Sequence, residues 1–138
     1  MLRSLLLILV SALAVPGGEP IVALAHPASA LKSITREKAA QILRGEMLFL
    51  DGKRLVLVLT KPSSASLPAV TFGLLQENPQ AYMMRIKAAK LRGVNLDPQF
   101  MDSPDAVISS VAGNPNAVGF LAAKEAKAVG VKILPIPD

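Results

Sequence analysis

A chain of 138 residues has room for one domain of ordinary size, and its net charge of +5 arises from 15 basic residues scattered among 10 acidic ones. With one tyrosine and no tryptophan, those cations lack the interleaved aromatics of a nucleic-acid groove, so no nucleic-acid partner is expected. The absence of cysteine excludes disulfides, thiolate metal ligands, a thiol nucleophile and a lipoprotein anchor.

The start of the chain reads as an export signal. Met1-Leu2-Arg3 is a short basic head, residues 5–10 are an unbroken apolar run, and Ala12-Leu13-Ala14 offers the small residues a signal peptidase needs. The apolar stretch is shorter than the roughly 20 residues of a membrane-spanning helix, so cleavage after Ala14 is the reading preferred to an anchor. Cleavage at Ala23-Leu24-Ala25 would remove the first strand and is rejected. The expected organisation is a signal peptide over 1–14, a linker over 15–20 and one domain over 21–138.

Residues 21–25 form an apolar run of strand length closed by His26-Pro27. A helix follows, with Thr35 as N-cap, Glu37 near the positive end of its dipole and Gly45 at C′; its inward stripe is Ala39, Ile42 and Leu43. After a turn at Asp51-Gly52, residues 55–59 are continuously apolar, the pattern of a central strand covered on both faces. Ser66 is expected to cap the next helix, which would bury Val70, Leu74 and Leu75. Pro79 opens another helix that buries Tyr82, Ile86 and Ala89, with the Met83-Met84 pair expected to fill gaps in the core. The cations Arg85, Lys87, Lys90 and Arg92 on it read as a solvated face.

Residues 99–101 make a minimal strand, and Ser103-Pro104-Asp105 opens a helix that ends at Gly113. Pro115-Asn116 is a turn into a strand over 118–121, in which Gly119 allows close backbone approach. A last strand over 131–134 follows a short connecting segment. Strands alternating with helices argue an α/β fold with a mostly parallel sheet flanked by helices.

The order of Ile42-Leu43-Arg44-Gly45, the Asp51-Gly52 turn, the 55–59 strand, the helix started by Ser66 and Pro115-Asn116-Ala117-Val118-Gly119-Phe120 resembles the periplasmic phosphate-binding proteins of ABC transporters. More closely it resembles the small members that carry a single lobe of that periplasmic-binding-protein-like fold, over residues 20–134. The resemblance implies a non-catalytic periplasmic protein binding phosphate or a related oxyanion, as part of or derived from an ABC phosphate uptake system. An ABC permease or a periplasmic sensor domain would be its protein partner. The rival reading is an accessory or sensory interaction module that has lost its ligand.

The residues themselves point to the same loop. Lys61-Pro62-Ser63-Ser64-Ala65-Ser66 leaves the C-terminal end of a central strand and enters a helix N-terminus, where open α/β sheets bind ligands. Free N–H groups, the helix dipole and hydroxyl donors favour phosphate-like groups there. The ligand-binding candidates are Ser29, Lys61, Ser63, Ser64 and Ser66, and by the resemblance Ser66 falls on the family's serine and Phe72 on its following aromatic. Pro68 stands where the family's helix offers an N–H and Ala69 where many small relatives carry Arg, so the expected affinity is weak. A serine-rich loop that merely caps a helix would look the same.

Catalysis is not expected. His26 is the single imidazole, Ser29 is too near it in sequence to be a separately presented nucleophile, and the acids show no recognisable acid–base pairing. No ligand spacing suggests a metal, and no cofactor is expected.

Overall fold

The computed structural model of the protein describes residues 19–137. The export segment expected over residues 1–14 and most of the linker lie outside them. No helix among the described residues is long and apolar enough to cross a membrane.

In chain order the elements are β1 (Ile21–Ala25), α1 (Arg36–Arg44), β2 (Phe49–Leu50), β3 (Lys53–Arg54), β4 (Val56–Thr60), α2 (Ser66–Leu75), α3 (Pro79–Leu91), β5 (Gln99–Met101), α4 (Pro104–Ala112), β6 (Ala117–Ala122), a 3₁₀ turn (Ala123–Glu125) and β7 (Lys132–Pro135). Five strands form one sheet in the order β5-β4-β6-β1-β7. β4 pairs in parallel with both β5 and β6, whereas β1 runs antiparallel to its neighbours β6 and β7. Four of the five strands therefore point the same way, and the mostly parallel α/β sheet expected from the sequence is found.

Period-two alternation splits the strands between two cores. On one face Ala23, Leu57, Leu59 and Phe120 meet Ile42 and Leu43 of α1, Leu67 and Val70 of α2, and Tyr82 and Ile86 of α3. On the other, Leu24, Val58 and Leu121 meet Val107, Ile108 and Val111 of α4. β4 is buried from both sides, which is why its sequence is apolar without alternation. Gly119 of β6 lies under α4, where an added Cβ would stand 2.9 Å from Val107 Cγ1 and 3.1 Å from Val111 Cγ2, so the close approach read from the sequence is real.

The local signals behave as their chemistry requires. Thr35 accepts from the Lys38 amide at the start of α1, and Gly45 closes it at φ 76. Asn78 and Ser103 cap α3 and α4 in the same way, each ahead of a proline at N1. Asp51 at φ 52 and Gly52 at φ 76 form a two-residue turn of the type I′ kind, closing the β2–β3 hairpin that the sequence reading treated only as a turn. The Tyr82 hydroxyl donates to the Leu43 carbonyl at 2.8 Å, joining α3 to the last turn of α1. Burial pushes this phenol well above the usual tyrosine range, so it stays a donor at any physiological pH.

One packing expectation fails. Met83 packs against the core, but Met84 is 70% exposed. Successive helical side chains point about 100° apart, and with Tyr82, Ile86 and Ala89 facing inward Met84 faces solvent. Of the cations on this helix, Lys87, Lys90 and Arg92 are exposed as expected, with Lys90 reaching Asp97 at 3.8 Å, whereas Arg85 is half-buried in its pair with Glu77.

Candidate functional site

The loop between β4 and α2 sits at the C-terminal edge of the parallel strands, beside the end of β6. Its backbone is tied down at both ends. The Lys61 amide donates to the Met101 carbonyl on β5 at 3.0 Å, and the Ser64 amide donates to the Lys61 carbonyl at 2.9 Å, closing a turn. Lys61 Nζ stands 3.3 Å from the Asp102 carboxylate, with both groups largely in water. Ser63 is exposed and Ser64 half-buried.

Ser66 does not cap the helix. α2 begins at Ser66 itself, and Ala65 occupies the N-cap position with no side chain to offer. The Ser66 hydroxyl is fully buried and accepts the Ala122 amide at 2.9 Å, fastening the helix start to the end of β6. Ser64 takes over the local role, its Oγ accepting from the Ser66 amide at 3.3 Å. The physical reason is burial: an amide at the end of β6 enclosed by α2 needs an acceptor, and a serine in the first helical turn supplies one.

The positive end of α2 is therefore only partly open. Pro68, now at the third helical position, has no N–H, and the Ser66 amide is engaged, leaving the Leu67 amide as the one of the first three not taken by a side chain. The first turn of α2 carries no acid, unlike those of α1 and α4, so its dipole remains uncompensated. The exposed hydroxyl of Ser63, the half-buried hydroxyl of Ser64 and the cation of Lys61 make a shallow polar cluster at that end, while Leu67 itself is buried in the core.

Ser29 is not part of that cluster. β1 runs opposite to β4, and Ala25 is level with Val118, which is also the partner of Leu57 near the start of β4. The loop after β1 thus lies at the N-terminal end of β4, the whole length of the strand from Lys61. There Ser29 is buried, its Oγ accepting the Leu31 amide at 3.1 Å and its carbonyl accepting from Lys132 Nζ at 3.1 Å. It borders a cavity of about 100 Å³ with Lys53 and Asn116. His26 is a turn residue whose Nδ1 accepts the Ala28 amide at 2.9 Å, with no acid or nucleophile side chain bonded to it among the described residues. The described residues contain no cluster of three or more metal-ligating acids or imidazoles.

Sequence reading missed Thr60 and Asp102. Thr60 ends β4 and is 1% exposed, with no partner for its hydroxyl among the described residues. Asp102 became visible as the partner of Lys61 only once β5 was placed beside β4. The one available signal for Thr60 was a polar residue directly after a continuous apolar run.

No protein-family model matches this chain, and no curated protein matches it in sequence. Solved structures do match it in fold. An ABC-type phosphate transport receptor from Vibrio cholerae superposes with a TM-score of 0.56 at 17% identity, covering 84% of this chain and 45% of the receptor. A candidate phosphate ABC transporter substrate-binding protein from Clostridium perfringens, solved with bound phosphate, gives 0.56 at 15% identity, covering 86% of this chain and 45% of its own. PstS from Borrelia burgdorferi gives 0.54 at 17% identity, over 87% and 48%. This chain has the fold of these proteins and spans slightly less than half the length of each.

Proposed function

We propose that this protein is a non-catalytic binding domain for phosphate or a related oxyanion, part of or derived from an ABC phosphate uptake system. The observation that carries the reading is a shared fold with three phosphate transport proteins. The loop after the central strand β4 supports it, since there Lys61, Ser63 and Ser64 stand at the positive end of α2, whose first turn carries no acid. With a single lysine and a proline in the first helical turn, affinity is expected in the millimolar range, about 4 kcal/mol of binding free energy.

An NMR titration with phosphate and sulfate tests this. Shifts should cluster at residues 61–69, weaken as salt is raised, and diminish in a Lys61→Ala, Ser63→Ala double variant. Ser66→Ala is the wrong variant for the purpose, because it strands the buried Ala122 amide and confounds binding with folding. A folded protein that shows no shift at residues 61–69 with phosphate well above the millimolar range would overturn the proposal.

Export belongs to the same reading: residues 1–14 as a cleaved signal, 15–20 as a linker and 21–138 as one periplasmic domain, with a permease or a periplasmic sensor domain as protein partner. Protein recovered from the periplasm should begin at Val15 on N-terminal sequencing. Recovery of an uncut chain in the cytosol would refute export.

A further inference from the structure

At the N-terminal end of β4, far from the loop of Lys61, lies a cavity of about 280 Å³. Its floor is core side chains: Ile42, Leu55, Leu57 and Leu96, all buried. β5 pairs with β4 only from Val58 onward, so no strand lies beside Leu55–Leu57 on that side and the segment 95–97 borders the hollow instead. Arg54 of the β2–β3 hairpin stands at the mouth, its Nη2 donating to the Asn95 carbonyl at 2.6 Å across the opening. With the Asn95 amide turned, its side-chain oxygen accepts from both Nη atoms at 3.0 and 3.2 Å.

Those acceptors are neutral, and Arg54 has no carboxylate partner among the described residues. Asp97 also lines the cavity, but it is 72% exposed and faces Lys90. Phe49 pairs with Arg54 across the hairpin, so the two side chains share one face of the ribbon, and the ring is 58% exposed. An apolar floor, a held guanidinium with its charge uncompensated and an exposed aromatic beside it converge on one kind of ligand.

We infer that this cavity is a second binding site, for a small carboxylate with an apolar body. The carboxylate docks on Arg54 through the guanidinium N–H groups that Asn95 does not take. The hydrocarbon or ring lies on Leu55, Leu57 and Leu96, and the volume, at the low end for ligand pockets, limits the ligand to a small one. This site is independent of the proposed oxyanion function, which concerns the opposite edge of the sheet.

The experiment is an NMR titration of the full domain with hexanoate, 1-hexanol and phosphate in parallel. Hexanoate should give saturable shifts at residues 42, 47–49, 54–57 and 95–99. Arg54→Gln should weaken hexanoate at least tenfold, about 1.4 kcal/mol, leave hexanol unchanged and leave any phosphate shifts at residues 61–69 in place. Arg54 is an exposed side chain, so the variant keeps the dispersion of a folded spectrum, which the same spectra report. Four results would each overturn the site: no saturable shift there with hexanoate; hexanol binding as well as hexanoate; phosphate alone moving the same residues, which would make it a bare cation; or an unchanged affinity in Arg54→Gln.

Discussion

Replacing Phe120 by alanine should lower the unfolding free energy by about 3–5 kcal/mol. Phe120 is 1% exposed in the middle strand of the sheet, opposite Ala23 of β1. It belongs to the core on the α2 face, with Leu67 and Val70 of that helix. The surroundings are poorly able to close over its loss. The sheet is hydrogen-bonded on both sides of β6. α2 is held above it at two points, by the Ser66 hydroxyl on the Ala122 amide and by the Arg36 guanidinium donating to the Gly73 carbonyl. A site that cannot collapse keeps its cavity, and the residual cavity sets the upper part of the cost. A denaturant titration with an unchanged m-value reads the effect directly. A loss under about 1 kcal/mol would show that α2 is free to settle and that its two fastenings are not rigid.

Leu57→Ala is expected to be severe as well, but less so. The general range for such a truncation is about 2–5 kcal/mol. Leu57 is 7% exposed and forms part of the floor of the 280 Å³ cavity, so the space it vacates opens onto one that solvent already reaches. Water entering that space relieves part of the cavity term, which places the expected cost near the lower end of the range, about 2–3 kcal/mol. The comparison with Phe120→Ala is the sharper measurement: the enclosed site should cost more than the one bordering a cavity. A change in Leu57→Ala below about 0.5 kcal/mol would put that strand at the surface and contradict the sheet order.

The oxyanion loop shows why a site is harder to read than a strand. Lys61 through Ser66 looked like four potential ligands for one anion, and the sequence offered no way to separate an outward hydroxyl from an inward one. Folding separates them by function. Ser66 answers an amide that arrives 56 residues later in the chain, Ser64 answers the helix end, and Ser63 alone among the three serines remains exposed. Ser29 was read as a ligand together with them, and the reversed direction of β1 carries it to the other end of the sheet.

What the sequence determined by itself is everything decided within a few residues. Thr35, Asn78, Ser103 and Gly45 mark helix ends because caps act over three or four positions. The stripes Ala39-Ile42-Leu43 and Tyr82-Ile86-Ala89 are buried as their spacing requires, and the continuous apolar run ending at Leu59 is a central strand. Strand boundaries shifted by one residue at β4 and β7, and β6 is longer by one residue at each end, since the last pair is set by the neighbouring strand and not by the run itself. Only tertiary structure decided the antiparallel insertion of β1 between β6 and β7, the burial of Ser66, the isolation of Thr60 and the hollow beneath Arg54. Each depends on partners distant in sequence, where the contact is chosen by which faces meet, and a local pattern carries no record of the atom that will arrive from across the sheet.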